Sequence, residues 1–348
     1  YSFDNSILDK DVFMMFFLSM NIIDWSAFIF SLILQVFLFS RGHAFNKLFI
    51  NFSAMIVYLG LSLFLIFIVS EHYTEVFQSF KDLLTFENIF SKDSIVSTIT
   101  VAGTMFAYFS ILIVNYGDFS RYVKDKNELN KGNLSLILNL IIFSLFSVLI
   151  VIGTDIILNK NLENIDQILT NPTDIIGKFD NVFLSIAVLF FILFASVSTN
   201  LIANYVPSQN SLINFLPNNL TLKSTGVIIA LIAFPIGIFW MPLLSQIGIL
   251  SFVDTMGSFF GPIFAIIIVD YYLIKKQKLV NKDIFSSANN SSYYFSYGWH
   301  IKAIYSLFIG FIFSAATIWN ADLRFLQSFS WFIGAFMSSL TYYLLAIR

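Results

Sequence analysis

Residues 195–204 read ASVSTNLIAN and follow directly on the apolar run Phe183–Phe194. This run is long enough to belong to a membrane helix, in which successive residues advance by about 100°. Polar and small side chains then fall on two neighbouring faces, with Ala195, Ser198 and Thr199 on one and Asn200 and Asn204 on the other. Because lipid offers no hydrogen bonds, the pattern predicts that both faces meet a protein interior or a water-filled cavity.

The spacing of this stretch allows two interpretations of equal weight. Hydroxyl and carbonyl oxygens suit a hard monovalent cation, and an asparagine amide, with both donors and an acceptor, suits a planar polar solute. Small and polar residues are also common where membrane helices pack closely against each other. Helix packing therefore stays open as the alternative to a binding site.

The composition indicates an all-α polytopic membrane protein. Of the 348 residues, 57% are hydrophobic and 11% are charged, and the mean hydropathy is +0.81. A soluble globular protein carries about 25% charged residues. The net charge of −2 gives no reason to expect a nucleic-acid partner.

The residues that support catalysis or metal binding are scarce. The chain has no cysteine and three histidines, which excludes thiol chemistry within it and makes a histidine metal site unexpected. We find no paired carboxylates and no Ser/His arrangement, so we expect neither an enzyme nor a cofactor. No obligate protein partner is evident either.

Nine apolar segments are long enough to cross a membrane, since each crossing takes about 20 residues. They are predicted at residues 23–40, 48–70, 95–116, 132–154, 181–205, 224–241, 250–273, 301–319 and 325–346. A short surface helix is expected within the connection 71–94, and a turn or helix start at 171–174. Pro235 is expected to kink the sixth span or to end its first half. Gly257, Gly261 and Pro262 predict close packing or a break in the seventh.

The basic residues predict the orientation of these spans. One set of connections holds Arg41, Lys47, Arg121, Lys124, Lys126, Lys131, Lys223, Lys275, Lys276, Lys278, Lys282, Lys302 and Arg348. The other set holds Lys10, Lys81, Lys92, Lys160, Lys178 and Arg324, with acidic residues that include Glu71, Glu163, Asp166 and Asp180. The first set is therefore predicted to be cytoplasmic together with the C-terminus. Abundant Phe, Ile, Asn and Lys indicate an AT-rich genome, so we expect a bacterial cell membrane.

The third span ends in a second polar stretch. Gly103 and Thr104 lie about one turn before Ala107, which Tyr108, Phe109 and Ser110 follow directly. Small and aromatic residues at this depth allow an unwound segment that binds a ligand, or alternatively an ordinary phenylalanine-rich helix.

The residues that follow carry a resemblance to a known family. Residues 115–122 read NYGDFSRY, which resembles the signature that closes the sixth helix of the nucleobase:cation symporter-1 family. Residues 195–204 resemble its eighth helix. Gly257–Tyr271, with Gly261-Pro262 and Asp270-Tyr271, resembles its tenth. The resemblance covers essentially the whole chain as helices 4–12 of a twelve-helix transporter, so we expect a single transmembrane domain, 1–348, truncated at its N-terminus.

The resemblance implies a five-plus-five inverted-repeat fold and roles for particular residues. Na+ is expected at the carbonyl of Ala195 and the hydroxyls of Ser198 and Thr199, with H+ as the other coupling ion. A planar substrate is expected at Phe109 and Asn204, with Tyr108, Ser110 and Asn200 beside them. Asn115, Asp118 and Arg121 form the helix-end motif, in which Asp118 and Arg121 are expected to pair as ions.

Asp254 is a separate candidate because it is ionisable and lies inside the seventh predicted span. Such residues are functional hypotheses by default. It could act as a gate or as a proton-coupling carboxylate, or it could reach water at the outer end of the span.

We therefore expect a cation-coupled transporter of a nucleobase or a related heterocycle of the cytosine, uracil, allantoin, hydantoin or thiamine class. The alternatives are an amino acid symporter of the same fold, and a nonfunctional fragment or structural membrane subunit.

Overall fold

The computed structural model describes residues 15–18, 20–70, 72–161, 169–178, 181–216, 219–284, 286 and 288–347. Within these ranges the chain is helical and contains no strand. Several charges that entered the orientation argument lie outside the described residues, namely Lys10, Glu71, Glu163, Asp166, Asp180 and Arg348.

The helices follow one another with short connections. They are α1 (Ile22–Ser40), α2 (His43–Ser70), α3 (Tyr73–Leu83), α4 (Phe86–Ile89), α5 (Lys92–Val114), α6 (Tyr116–Ser120), α7 (Lys126–Asn161), α8 (Pro172–Ile176), α9 (Val182–Asn200), α10 (Val206–Phe215), α11 (Leu222–Ile247), α12 (Ile249–Ile268), α13 (Asn281–Ile284), α14 (Ile301–Trp319) and α15 (Ser330–Ile347). Two π-turns (Leu201–Tyr205 and Val269–Ile274) and a 3₁₀ segment (Ala321–Phe329) complete them.

All nine predicted membrane spans are confirmed. In the described part of the chain, nine helical stretches are long and apolar enough to cross a membrane. The expected surface helix is present as α3 and α4, and α8 starts at the predicted turn. There Asn171 accepts a hydrogen bond from the amide of Thr173, and Pro172 occupies the first turn, where no helical bond is lost.

The predicted breaks in the sixth and seventh spans are absent. α11 continues through Pro235, so this proline does not end the helix, and the alternative, a kink at Pro235, stays a prediction. α12 likewise continues through Gly257 and Gly261. Of the two possibilities for these glycines, close packing is therefore the correct one.

The chain divides into two compact units. Unit one comprises Tyr1–Ile89 and Asp118–Pro242, and unit two comprises Phe90–Gly117 and Leu243–Arg348. The main core of unit one brings together α2, α7, α8 and α9 through Leu61, Phe64, Ile68, Ile150, Ile175, Ile176, Val188 and Phe191. Its second cluster joins the end of α1 to the first π-turn through Leu38, Phe39, Val197, Leu201 and Tyr205.

Unit two is built on α12, which packs against α5, α14 and α15. Glycines let these helices approach closely: Gly257 lies against the backbone of Ala107, and Gly261 against the carbonyl oxygen of Trp331. Ser314, on α14, donates a hydrogen bond to the carbonyl of Ser330, on α15. Small residues at helix contacts are what membrane packing requires, because lipid tails are as apolar as leucine.

Candidate functional site

The polar stretch at 195–204 lies where the fifth span changes its helical pitch. α9 gives way to the π-turn Leu201–Tyr205, and α10 then continues to Phe215, so the predicted end of this span at residue 205 was wrong. Pro207 has no amide hydrogen and therefore cannot donate the ordinary helical bond to the carbonyl of Ala203. A π-turn accommodates such an irregularity, and π-turns are frequent at functional sites.

Asn200 and Asn204 meet across this π-turn. The side-chain amide of Asn204 donates a hydrogen bond to the side-chain carbonyl of Asn200. This bond uses one donor of Asn204 and the acceptor of Asn200, so the acceptor of Asn204 and the amide of Asn200 are left to bind another group. Asn204 is exposed within unit one although it lies in an apolar span. The pair can therefore present one acceptor and one donor side by side.

The three residues expected to bind Na+ differ in their surroundings. Ser198 is buried, and its hydroxyl donates to the carbonyls of Phe194 (2.7 Å) and Ala195 (3.2 Å). A hydroxyl that donates to its own helix keeps its oxygen as an acceptor, which is the part that a cation needs. Thr199 is exposed and Ala195 is half-buried. The structure thus places the three oxygens on one helix face, but Ser198 already occupies the carbonyl of Ala195.

Gln35 is a polar neighbour that the sequence analysis missed. It lies in the first span, is buried, and donates a side-chain hydrogen bond of 3.2 Å to the carbonyl of Val197, next to Ser198. Its side-chain oxygen is buried and has no partner among the described residues. The signal in the sequence was a single glutamine within an otherwise apolar run, which costs free energy unless it is satisfied.

The expected residues of the third span belong to unit two. α5 is continuous from Lys92 to Val114, so the predicted unwinding near Gly103 does not occur. Ser110 is fully buried and donates to the carbonyl of Ala107, so its hydroxyl is already used within the helix. Tyr108 and Phe109 are exposed in the described residues, and their rings meet edge to face with centroids 5.1 Å apart. The substrate candidates are therefore divided between the two units, with Asn200 and Asn204 in unit one.

Asp118, in the helix-end motif, has a hydrogen-bond partner that lies outside the motif. Asn115 caps the end of α5. The carboxylate of Asp118 accepts a 2.9 Å hydrogen bond from the side-chain amide of Asn210, which lies on α10. The guanidinium of Arg121 is 3.8 Å from the same oxygen of Asp118, and half of the Arg121 side chain is exposed. The predicted ion pair is present, but Asn210 makes the shorter contact.

We expect Asn210→Ala to destabilise the protein by about 1.5–3 kcal/mol, because it removes a hydrogen bond to a charged group. Arg121→Ala is the matched comparison and should cost less than about 1 kcal/mol, since exposed ion pairs contribute little. Thermal unfolding of both variants in detergent measures the difference. A larger loss for Arg121→Ala would show that the ion pair, rather than Asn210, anchors the motif.

A cavity of about 440 Å³ in unit one lies beside the first π-turn and borders the same motif. Its lining includes Asn46, Lys47, Asn51, Phe119 and Ile202. Its volume is in the usual range for small-molecule sites. Asn46 is buried, and its side-chain oxygen has no partner among the described residues. Amide, ammonium and aromatic groups thus converge on a space that a small polar molecule fits.

Asp254 is buried in unit two, with 2% of the residue exposed. The side-chain amide of Gln327, on the 3₁₀ segment, donates a 2.8 Å hydrogen bond to its carboxylate. Thr104, on α5, is a second polar side chain beside this carboxylate. The possibility that Asp254 simply reaches open water is therefore wrong for this structure.

Asp270 lies in the stretch Gly257–Tyr271, which resembles the tenth helix of the family. It belongs to a network of ionic, hydrogen-bond and aromatic contacts. The second π-turn brings Lys275 onto the same side as Asp270, so that its ammonium group is 2.8 Å from the carboxylate. Tyr342 donates a 2.6 Å hydrogen bond to the other oxygen. The ring of His300 lies edge-on to Tyr342 and stacks on Phe295. Burial lowers the pKa of His300, which the charge of Asp270 partly opposes. This network anchors the connection before α14.

Comparison with known proteins places these features in a family. The family described as permeases for cytosine/purines, uracil, thiamine and allantoin matches residues 18–347. The chain is 30% identical over 210 residues to the purine-uracil permease NCS1 of Arabidopsis thaliana, covering 59% of this chain and 33% of that protein. It is 26% identical over 235 residues to the allantoin permease of Bacillus subtilis (strain 168), covering 67% and 46%.

A third relative is the hydantoin permease of Microbacterium maritypicum, which is 28% identical over 137 residues, covering 39% of this chain and 27% of that protein. The chain spans at most about half the length of the curated relatives that it matches. No solved structure matches it. Because the family match extends over nearly all of the 348 residues, the chain belongs to the family of permeases for cytosine and purines, uracil, thiamine and allantoin, and its apolar helices are those of a multi-pass membrane protein.

Proposed function

We propose that this chain carries out secondary active uptake of a nucleobase or a related small heterocycle, of the cytosine, uracil, allantoin, hydantoin or thiamine class, coupled to Na+ or H+. The proposal is supported most directly by the Asn200–Asn204 pair on the π-turn of an apolar span in a chain of this permease family. One free acceptor beside one free donor complements the amide edge of a planar ring, as an asparagine complements an adenine edge.

In this proposal each candidate residue has one role. Asn204 and Asn200 bind the polar edge of the ring, and Phe109, with Tyr108 beside it, offers an aromatic face. Stacking of a base on an aromatic ring contributes roughly 1–3 kcal/mol. Ser110 is kept only as a helix residue behind this face, because its hydroxyl bonds to Ala107. The five-plus-five inverted repeat and alternating access around a midplane site stay predictions from the family resemblance.

The decisive experiment is uptake by the purified protein in proteoliposomes, with a panel of labelled heterocycles and amino acids. We expect at least one planar heterocycle to accumulate when an inward Na+ or H+ gradient is imposed. Uptake of amino acids with no planar ring transported would favour the amino acid symporter instead. Failure of every compound, with the protein folded, would favour a structural subunit or an inactive chain.

The cation proposal assigns Na+ to the carbonyl of Ala195 and the hydroxyls of Ser198 and Thr199. Thr199→Ala should raise the Na+ concentration for half-maximal uptake about three- to tenfold, because it removes one oxygen ligand. Ser185→Ala is the matched control, since Ser185 carries a hydroxyl on the same helix but about 15 Å along the helix axis from Ala195. Uptake that is indifferent to Na+ but collapses with a protonophore would rule out this site.

We also propose that the protein lies in a bacterial cell membrane with its C-terminus in the cytoplasm, on the basis of the Lys and Arg distribution. The chain has no cysteine, so a single cysteine placed at Ile347 can be labelled selectively. An impermeant reagent added to intact cells should leave it unlabelled.

A further inference from the structure

The surroundings of Asp254 differ from those of Asp118 and Asp270, the two carboxylates in the stretches that resemble the family. Asp118 has Arg121 nearby, and Asp270 has Lys275 at 2.8 Å. Asp254 is more deeply buried, inside the span Ser251–Ile274. It accepts a hydrogen bond from the neutral side chain of Gln327, and the neutral side chain of Thr104 lies beside it.

Among the described residues, no basic side chain on the elements that pack around α12 neutralises the negative charge of Asp254. α5, the 3₁₀ segment, α14 and α15 all pack in the unit around α12. In the described ranges of these elements, the charged side chains are Lys92, Asp93, Lys302, Asp322 and Arg324, and none of the basic ones forms an ion pair with Asp254. An ionised carboxylate that is buried without a cation costs several kcal/mol. Because Asp254 carries this cost, we expect it to have a role that a neutral side chain could not fill.

The two partners are chemically suited to a group that changes its protonation state. An amide and a hydroxyl can each either donate or accept a hydrogen bond. Gln327 can donate its N–H to a carboxylate and, after rotation, accept the O–H of a carboxylic acid at the same place. Thr104 can do the same with its hydroxyl. An arginine or lysine partner would instead fix the ionised form.

We propose that Asp254 is the residue that binds and releases the coupling proton during transport, with Gln327 and Thr104 as its positioning partners. This inference rests on the H+ form of the proposed cation coupling, not on the Na+ assignment at Ala195, Ser198 and Thr199, and it adds the identity of a proton carrier in unit two. In the forward step a proton from water on one side of the membrane bonds to a carboxylate oxygen and gives the neutral acid. Release of that proton to water on the other side restores the carboxylate, so no other bond changes.

Asp254→Asn tests this directly, because asparagine has the same shape and keeps an oxygen that accepts the hydrogen bond from Gln327, but does not bind and release a proton near neutral pH. In proteoliposomes the variant should exchange labelled for unlabelled substrate within about twofold of the parent at equal pH on both sides. It should lose at least tenfold of the accumulation driven by an imposed pH gradient. Its exchange rate should also become independent of pH between about 5 and 8.

Asp322→Asn is the matched control, since Asp322 is an exposed carboxylate on the same 3₁₀ segment as Gln327. It should leave both exchange and gradient-driven uptake unchanged. If Asp254→Asn also accumulates substrate with the pH gradient, Asp254 is only a structural anchor of the 3₁₀ segment. If the folded variant loses exchange as well, Asp254 acts in substrate passage rather than proton transfer, and the proposal is wrong.

A second variant covers the case in which Asp254→Asn does not fold. Gln327→Met removes the 2.8 Å donor while keeping a side chain of similar length. The carboxylate loses stabilisation, so the pH of half-maximal uptake should move to higher pH. An unchanged pH profile would overturn the proposal. A parent protein that exchanges no heterocycle at any pH would instead contradict the proposed function itself.

Discussion

Gly103→Ala is expected to destabilise the protein strongly and to lower the yield of folded protein. Gly103 lies on α5 with the backbone carbonyl oxygen of Ser328 directly against the position that a Cβ atom would occupy. A methyl group there overlaps with backbone, which cannot rotate away as a flexible side chain can. Overpacking typically costs 1–3 kcal/mol and occasionally more, and overlap with backbone belongs at the upper end. Since whole proteins are stable by only about 5–15 kcal/mol, this loss is large.

Gly132→Ala is the matched control for this prediction. Gly132 lies on α7, and among the described residues no atom beyond the backbone of its own helix lies within 4 Å of the position that its Cβ would occupy. Alanine in an open helical position should be neutral or stabilising by up to about 1 kcal/mol. The yield of monodisperse protein on size exclusion and the thermal midpoint in detergent measure both variants. Equal stability of the two would mean that α5 does not pack against the 3₁₀ segment as described.

Asn204→Ala is expected to weaken binding of planar heterocycles by roughly ten- to hundredfold. Removing one partner of a buried polar contact leaves the other unpaired, at a cost of about 1–3 kcal/mol. The change also frees the side-chain carbonyl of Asn200, which now accepts from Asn204. Both effects reduce binding, because Asn200 loses the bond that fixes its orientation toward a ligand. Binding of the best substrate of the uptake panel, measured with labelled compound, gives the affinity of each variant.

Asn139→Ala controls for the loss of an asparagine in unit one. Asn139 lies on α7 and forms hydrogen bonds with Tyr58 and Ser135, and it is not one of the proposed substrate-binding residues. It should leave the affinity within about twofold of the parent. If Asn204→Ala binds as tightly as Asn139→Ala, the π-turn pair serves helix geometry and the substrate assignment is wrong.

The sequence alone determined the architecture to the level of spans. Each membrane helix must be apolar for about 20 residues because lipid satisfies no backbone or side-chain hydrogen bond. Apolar runs of this length are therefore recognisable in the sequence. Local capping was also readable, as at Asn171-Pro172, because a cap depends on residues within one turn. The NYGDFSRY stretch at 115–122 indicated the family for a similar reason, since a motif is contiguous in the chain.

Only the tertiary structure decided whether Gly103 and Gly257 break a helix or allow close packing. A glycine allows both a broken helix and a close approach, and the sequence around Gly103 and Gly257 does not distinguish them. The carbonyl of Ser328 and the backbone of Ala107 occupy the space beside these glycines, so both helices stay continuous. Pro207 shows the same limit, because its missing amide predicts an irregularity but not that a π-turn absorbs it.

The partners of the charged groups were likewise beyond the sequence. Asn210 is 92 residues from Asp118, and Gln327 is 73 residues from Asp254. Both partners are neutral amides, so charge patterning gives no hint of the pairing. Local preferences set which residues form helices, but the hydrogen-bond partner of a buried carboxylate depends on which helices pack side by side. That choice is made by the fit of small residues between helices, and it follows from the three-dimensional shape of both surfaces together.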